Sequence, residues 1–292
     1  MWVALALISA ACLGFYDVMK KLSVRGNDVL TVLMLNTVFG AALMSPVLIG
    51  GIATGECSIT STADHFMIII KSFIVLGSWI LGYFAVKHLP LTIQGPINAS
   101  RPVMVLVGAV AVYGEQLNLL QWAGISLGFF SLYMISRISA SEGISLRNSR
   151  WLWMAVGAAL LGAVSALYDK YLLRQFRPLD VQSWYSFYQC IIMSCALMTV
   201  RRCSSSRQAF SWRWTIPLIS IFLTVADIAY FYSLSIEGAM ISIVSMIRRG
   251  SVVIPFVYGA VMLHEKNFKA KAADLCILMI SLGLLVVGST MG

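Results

Sequence analysis

The sequence predicts an all-α membrane protein, with ten transmembrane helices laid down as two inverted five-helix repeats. Three observations carry that expectation. Of the 292 residues, 59% are hydrophobic and only 11% charged, where a soluble domain carries roughly 25% charged residues. A surface so poor in charge suits hydrocarbon and not water. The apolar residues fall in ten long runs, and the basic residues crowd into alternate breaks between them.

A span needs roughly 20 apolar residues at about 1.5 Å each to cross about 30 Å of hydrocarbon. The first run, 2–20, opens Met1-Trp2-Val3-Ala4, and its first positive charges, Lys20 and Lys21, come after it. A cleavable signal has the reverse order, so this run is a retained span. Arg25-Gly26-Asn27-Asp28 sets off the second run, 29–50, and the third covers 66–86. Leu89-Pro90 introduces the fourth, 90–113, which contains Pro96 and Pro102, and the fifth covers 119–137. A polar linker, 139–150, follows. Runs 151–173, 181–200, 214–234, 239–263 and 271–289 complete the set, with a basic, Ser-rich break from Arg201 to Arg207 between the seventh and eighth. What remains is too short for a soluble catalytic domain.

The chain echoes itself across the linker. A shift of 149 places Trp2 on Trp151 and Lys21 on Lys170, and a nearby shift places Glu115 on Glu265. Gly82-Tyr83-Phe84-Ala85 corresponds to Tyr230-Phe231-Tyr232-Ser233. The predicted organisation is therefore a first repeat at 1–138, the linker at 139–150 and a second repeat at 151–292. Five spans per repeat is odd, so the two must lie upside down to one another. The charges agree. Odd-numbered connections carry Lys20, Lys21, Arg25, Lys87, Arg137, Arg147, Arg150, Arg201, Arg202, Arg207, Arg213, Lys266, Lys269 and Lys271, while even ones carry only Lys170, Arg174 and Arg177. Under the positive-inside rule, corresponding connections flip in sign, as inverted repeats require, and both termini face away from the cytoplasm.

With this frame in place, the chain resembles the EamA-type branch of the drug/metabolite transporter superfamily. The resemblance rests on Gly14-Phe15-Tyr16-Asp17-Val18-Met19-Lys20-Lys21, Tyr168-Asp169-Lys170-Tyr171-Leu172-Leu173, Tyr113-Gly114-Glu115 and Leu263-His264-Glu265-Lys266. It implies a ten-helix carrier of small metabolites whose cavity is lined by spans 1, 3, 4, 6, 8 and 9, with spans 5 and 10 at the periphery. It also implies both termini in the cytoplasm, against the charge count. The two differ by an inverted branch or by one span.

Ionisable groups within spans are costly and usually face the protein interior with a partner. Asp227, near the middle of span 8, has Thr224, Tyr230 and Phe231 one turn away and no basic neighbour, so its partner must come from another helix. Arg248 and Arg249 in span 9 are the candidates, and being adjacent they point about 100° apart. These residues serve a substrate cavity or a purely structural pair. Asn98, Ser100 and Arg101 precede Pro102, which strains the helix and either frees carbonyls for a ligand or merely bends it for packing. Trp79, Tyr83, Tyr168 and Tyr230 line the cavity or serve as ordinary packing. Asp17 with Lys20, Asp169 with Lys170, and Glu115 and Glu265 are read as interfacial, and Lys71 as snorkelling to water.

Enzyme chemistry is not expected. There is no Walker-type phosphate loop. The histidines, His65, His88 and His264, lie apart, and Cys12, Cys57, Cys190, Cys195, Cys203 and Cys276 show no metal spacing. No cofactor, metal or nucleic-acid partner is predicted, and the expected partners are a small-molecule substrate and membrane lipid. The expectation is a secondary-active carrier moving a small anionic or zwitterionic metabolite by alternating access, in the plasma (inner) membrane of a prokaryote. A non-transporting membrane scaffold and a membrane-embedded enzyme are the alternatives.

Overall fold

Every described element of the computed structural model is helical; the described residues are 2–55, 57–113, 117–141, 149–172, 175–203, 210–235, 247–263 and 267–291. Apolar runs fold this way because hydrocarbon offers no partner for a bare N–H or C=O, and a helix satisfies both internally. The elements are α1 (Trp2–Val24), α2 (Val29–Ala53), α3 (Thr62–His88), α4 (Leu91–Ala99), α5 (Arg101–Tyr113), α6 (Leu119–Ser141) and α7 (Arg150–Leu172). They continue with α8 (Pro178–Cys203), α9 (Thr215–Ser235), a 3₁₀ turn (Gly250–Val252), α10 (Val253–Val261) and α11 (Phe268–Met291). Glu115, His264, Glu265 and Lys266, the first part of the ninth run and most of the linker lie outside the described residues, as does the side chain of Lys170.

Local chemistry sets the boundaries. Asp28 caps α2 by accepting from the Thr31 amide at 3.3 Å. Ser61 and Asp64 form a reciprocal capping box that starts α3 at Thr62, four residues before the apolar run itself begins. Gly26 and Gly55 adopt left-handed backbone, φ 67° and 70°, just past α1 and α2, where any other residue pays for its Cβ. Among the described residues, six helices, within α1, α2, α3, α6, α7 and α11, are long and apolar enough to cross a membrane. Large apolar side chains stand exposed on the outside, among them Leu7, Ile49, Phe66, Trp153, Met198 and Met262. Such a belt is ruinous in water and neutral in lipid.

Two runs are broken. The fourth is two helices, α4 and α5, parted at Ser100. Pro102 has no N–H to give and its ring crowds the preceding turn, so the helix restarts with the proline in its first turn. In the ninth run, 247–249 are helical, and the chain then tightens into the 3₁₀ turn at Gly250 before α10. The two breaks meet: a Cβ on Gly95 of α4 would lie 2.8 Å from Val252 Cγ2.

The helices pair closely as α1 with α9, α3 with α7, α2 with α8 and α6 with α11, and α2 also touches α9 as α3 touches α8. Small residues allow the approach. Ser9 Oγ donates to Ala226 O at 2.7 Å between α1 and α9, and Ser78 Oγ to Ala158 O at 2.7 Å between α3 and α7. Polar clasps close the ends. Asn27 Nδ2 donates to Ser211 O at 2.8 Å while Asn27 Oδ1 accepts from the Ser211 amide at 3.0 Å. At the opposite end Asp180 Oδ2 accepts from both the amide and the hydroxyl of Ser58 at 2.8 Å.

Candidate functional site

A cavity of about 550 Å³ lies among α1, α3, α4, α5, α7, α8, α9 and the broken ninth run. Its size is that of an ordinary small-molecule site. Of the residues singled out from the sequence, Asp227, Arg248, Arg249, Arg101, Asn98, Trp79, Tyr83 and Tyr230 line it. Tyr168 does not. Its hydroxyl donates to Met67 O at 3.3 Å and its ring stacks on Tyr171, so it packs between α7 and α3. Helices α6 and α11 stand outside the cavity, packed on one another. Helix α8, which the family resemblance leaves out, contributes Val181, Gln182 and Tyr185 to the wall.

Asp227 on α9 contacts Arg248 as an ion pair, with the two side chains 17% and 19% exposed. Gln182 of α8 supports the pair by donating to Asp227 Oδ2 at 3.3 Å. The Arg248 guanidinium lies 4.2 Å from the Tyr230 ring centroid, so its face is covered by an aromatic as its edge is bound by a carboxylate. Arg249, one residue on, lines the same cavity and has no ion pair or hydrogen bond among the described residues.

Two further ion pairs correct the interfacial reading. Lys71 does not snorkel. The capping box carries α3 far enough past the apolar boundary that Lys71 sits in its third turn, 7% exposed. Its Nζ lies 2.6 Å from Asp169 Oδ1 of α7 and 4.7 Å from the Tyr185 ring. Asp169 thus turns inward from the helix end. Asp17 and Lys20 do pair, at 2.6 Å, but in the cavity wall, with Lys20 5% exposed and its Nζ 4.4 Å from the Tyr16 ring. Tyr16, Lys20, Lys71, Asp169, Gln182 and Tyr185 are therefore wall residues that the sequence reading missed. Lys71 carried a usable signal, a lone charge inside an apolar run.

Arg101 opens α5 directly after the break. Its Nη2 donates to Asn98 Oδ1 at 3.3 Å, and its Nε is buried without a hydrogen-bond partner. The guanidinium lies on the backbone of α7, where a Cβ on Gly162 would come within 2.7 Å of Cζ. The cavity grades from open to closed. The Asp169 side chain is 33% exposed where α7 ends and α8 begins, while Lys20 and Tyr83 at the other extreme are buried.

The model of the EamA-like transporter family matches residues 1–137. No curated protein matches the chain. A solved structure titled only "Crystal structure of protein" aligns with a TM-score of 0.65 at 12% identity, over 99% of this chain and 99% of its own. At that identity the likeness is one of fold alone.

Proposed function

We propose, on the match of residues 1–137 to the EamA-like transporter family, that this integral, multi-pass membrane protein is a secondary-active carrier. It moves a small anionic or zwitterionic metabolite across the plasma membrane of a prokaryote by alternating access. The observation that carries the proposal is the cavity: five cations and three carboxylates gathered where two broken helices cross, inside a shell of apolar side chains. Broken helices around a central charged site are the architecture by which carriers offer polar groups to a substrate without exposing backbone to lipid.

Ten spans in two inverted repeats, 1–138 and 151–292, account for the packing. Exchanging each span with the one five further along turns the α1–α9 pair into α7–α3, and maps α2–α8 and α6–α11 onto themselves. The same exchange turns the Asn27–Ser211 clasp into the Asp180–Ser58 clasp at the other end. Two clasped halves around a central site can rock about it. A scaffold has no use for an open charged cavity.

Orientation follows from charge. Lys20 lies in the cavity wall and Lys271 is fully buried, and setting both aside leaves twelve basic residues in odd connections against three in even ones. Both termini then face away from the cytoplasm, and so does the open end of the cavity. A C-terminal reporter active only in the cytoplasm should stay silent, and strong reporter activity overturns the assignment. Transport itself is tested by comparing metabolites inside and outside cells with and without the protein. A carrier leaves a small polar anion or zwitterion redistributed between the two compartments, and unchanged distributions reject the reading.

A further inference from the structure

Five cations face the cavity. Lys20, Lys71 and Arg248 are each matched by a carboxylate, Asp17, Asp169 and Asp227. Arg101 and Arg249 are not. The other described carboxylates are all committed elsewhere: Asp28 and Asp64 cap helices, Asp180 holds Ser58, and Asp274 accepts from Ser131 between α11 and α6. Among the described residues, two guanidinium charges therefore stand uncompensated in one cavity.

A guanidinium does not release its proton in a protein, so neither arginine can shed its charge as a buried lysine can. Arg101 is positioned by two neighbours. Gly162 lets its head lie against α7, with Nε and Nη1 at 2.9 Å from where a Cβ would stand, and Asn98 holds the far nitrogen at 3.3 Å. A fork of N–H donors lining a cavity is the geometry that binds carboxylate or phosphate oxygens.

We propose, resting on the carrier reading above, that the cavity takes a dianion: a small metabolite bearing two negative charges and no ammonium group. Two carboxylates or one phosphate monoester supply that charge equally. An ammonium group has no described carboxylate to meet, since each of the three in the wall is already held by a cation it would have to displace. This selects one part of the anion-or-zwitterion range, and it assigns Gly162 as the positioning residue for Arg101.

The test uses the full chain purified in detergent, with thermal shift as the binding readout and proteoliposome uptake beside it. Malate, glycerol 3-phosphate, lactate and alanine are the probes. A ligand that binds the folded state raises the melting temperature with its concentration. Malate or glycerol 3-phosphate is expected to do so, and which of them does separates the dicarboxylate from the phosphate source. Arg101→Gln and Arg249→Gln should each weaken dianion binding about 30-fold or more, the size of a lost charge-assisted contact, and bring lactate level with the dianion. Gly162→Ala should reproduce the Arg101→Gln preference while all the cations remain. Its failure to change selectivity removes Gly162 from the assignment. Response to alanine or lactate above both dianions overturns the dianion inference and leaves the carrier standing. No response to any probe, together with unchanged metabolite distributions in cells, overturns both.

Discussion

Asp227→Asn and Arg248→Gln are each expected to abolish transport, and their combination to recover part of the stability that each loses alone. The two side chains meet in the cavity wall, with Gln182 donating to the same carboxylate and Tyr230 covering the guanidinium. Removing one partner leaves the other charged in a place that water reaches poorly. Breaking a fully buried pair costs about 3–5 kcal/mol; these side chains keep some exposure to the cavity, so about 3 kcal/mol is the expectation. The double variant strands no charge. Its loss should therefore fall short of the summed single losses by about 1 kcal/mol or more, a coupling that a double-mutant cycle of detergent melting reads directly. Additive losses would show that the contact carries no energy.

The same variants decide whether Asp227 moves protons. Asn keeps the shape and hydrogen bonding of a neutral acid but has no proton to release. Were Asp227 a proton carrier, Asp227→Asn would spare exchange and eliminate uphill accumulation. The contact with Arg248 favours a pairing role, in which both activities fall together. Undiminished uphill transport by well-expressed Asp227→Asn protein would dismiss both roles at once.

The parts of the fold that were legible in the sequence share a physical cause. Hydrocarbon demands long apolar helices and punishes charge, so the runs and their basic breaks are written directly in composition. The break before Pro102 was legible because a missing N–H acts locally. The placement of aromatics was not. A helix apolar all round gives no periodicity to say which face points inward, so Tyr168 was placed in the cavity while Tyr16 and Tyr185, which line it, were passed over. Lys71 was misread by depth. An apolar window begins α3 near 66, but the Ser61–Asp64 box starts the helix at Thr62 and carries Lys71 past snorkelling range. Helix α8 was left out of the wall because the family resemblance omits that span, yet its Gln182 is a partner of Asp227.

Gly14 offers the other large effect, and it tests the architecture apart from the charges. Gly14→Ala should sharply reduce both stability and transport, although it adds a single methyl group. A Cβ there would meet Ile254 Cβ at 2.6 Å, Ile254 Cδ1 at 2.7 Å and the Ser251 carbonyl oxygen at 2.9 Å. The Cδ1 can rotate aside, but a backbone carbonyl and a branched Cβ cannot, so α1 must move off the 3₁₀ turn and α10. Overpacking of that kind costs about 1–3 kcal/mol. It also displaces the segment that follows Arg249 by two residues, so transport should fall further than the amount of folded protein does. Two alanine substitutions calibrate the result. At Gly108 the nearest atom is Leu167 Cδ1 at 2.5 Å, the free end of a flexible side chain, so the cost there should be small. At Gly40 nothing lies within 4 Å, and Ala should be neutral or slightly stabilising. The ordering Gly14, then Gly108, then Gly40, measured as melting temperature in detergent and as uptake per folded molecule, is the expected outcome. Equal effects at all three positions would mean that α1 does not bear on the broken helix.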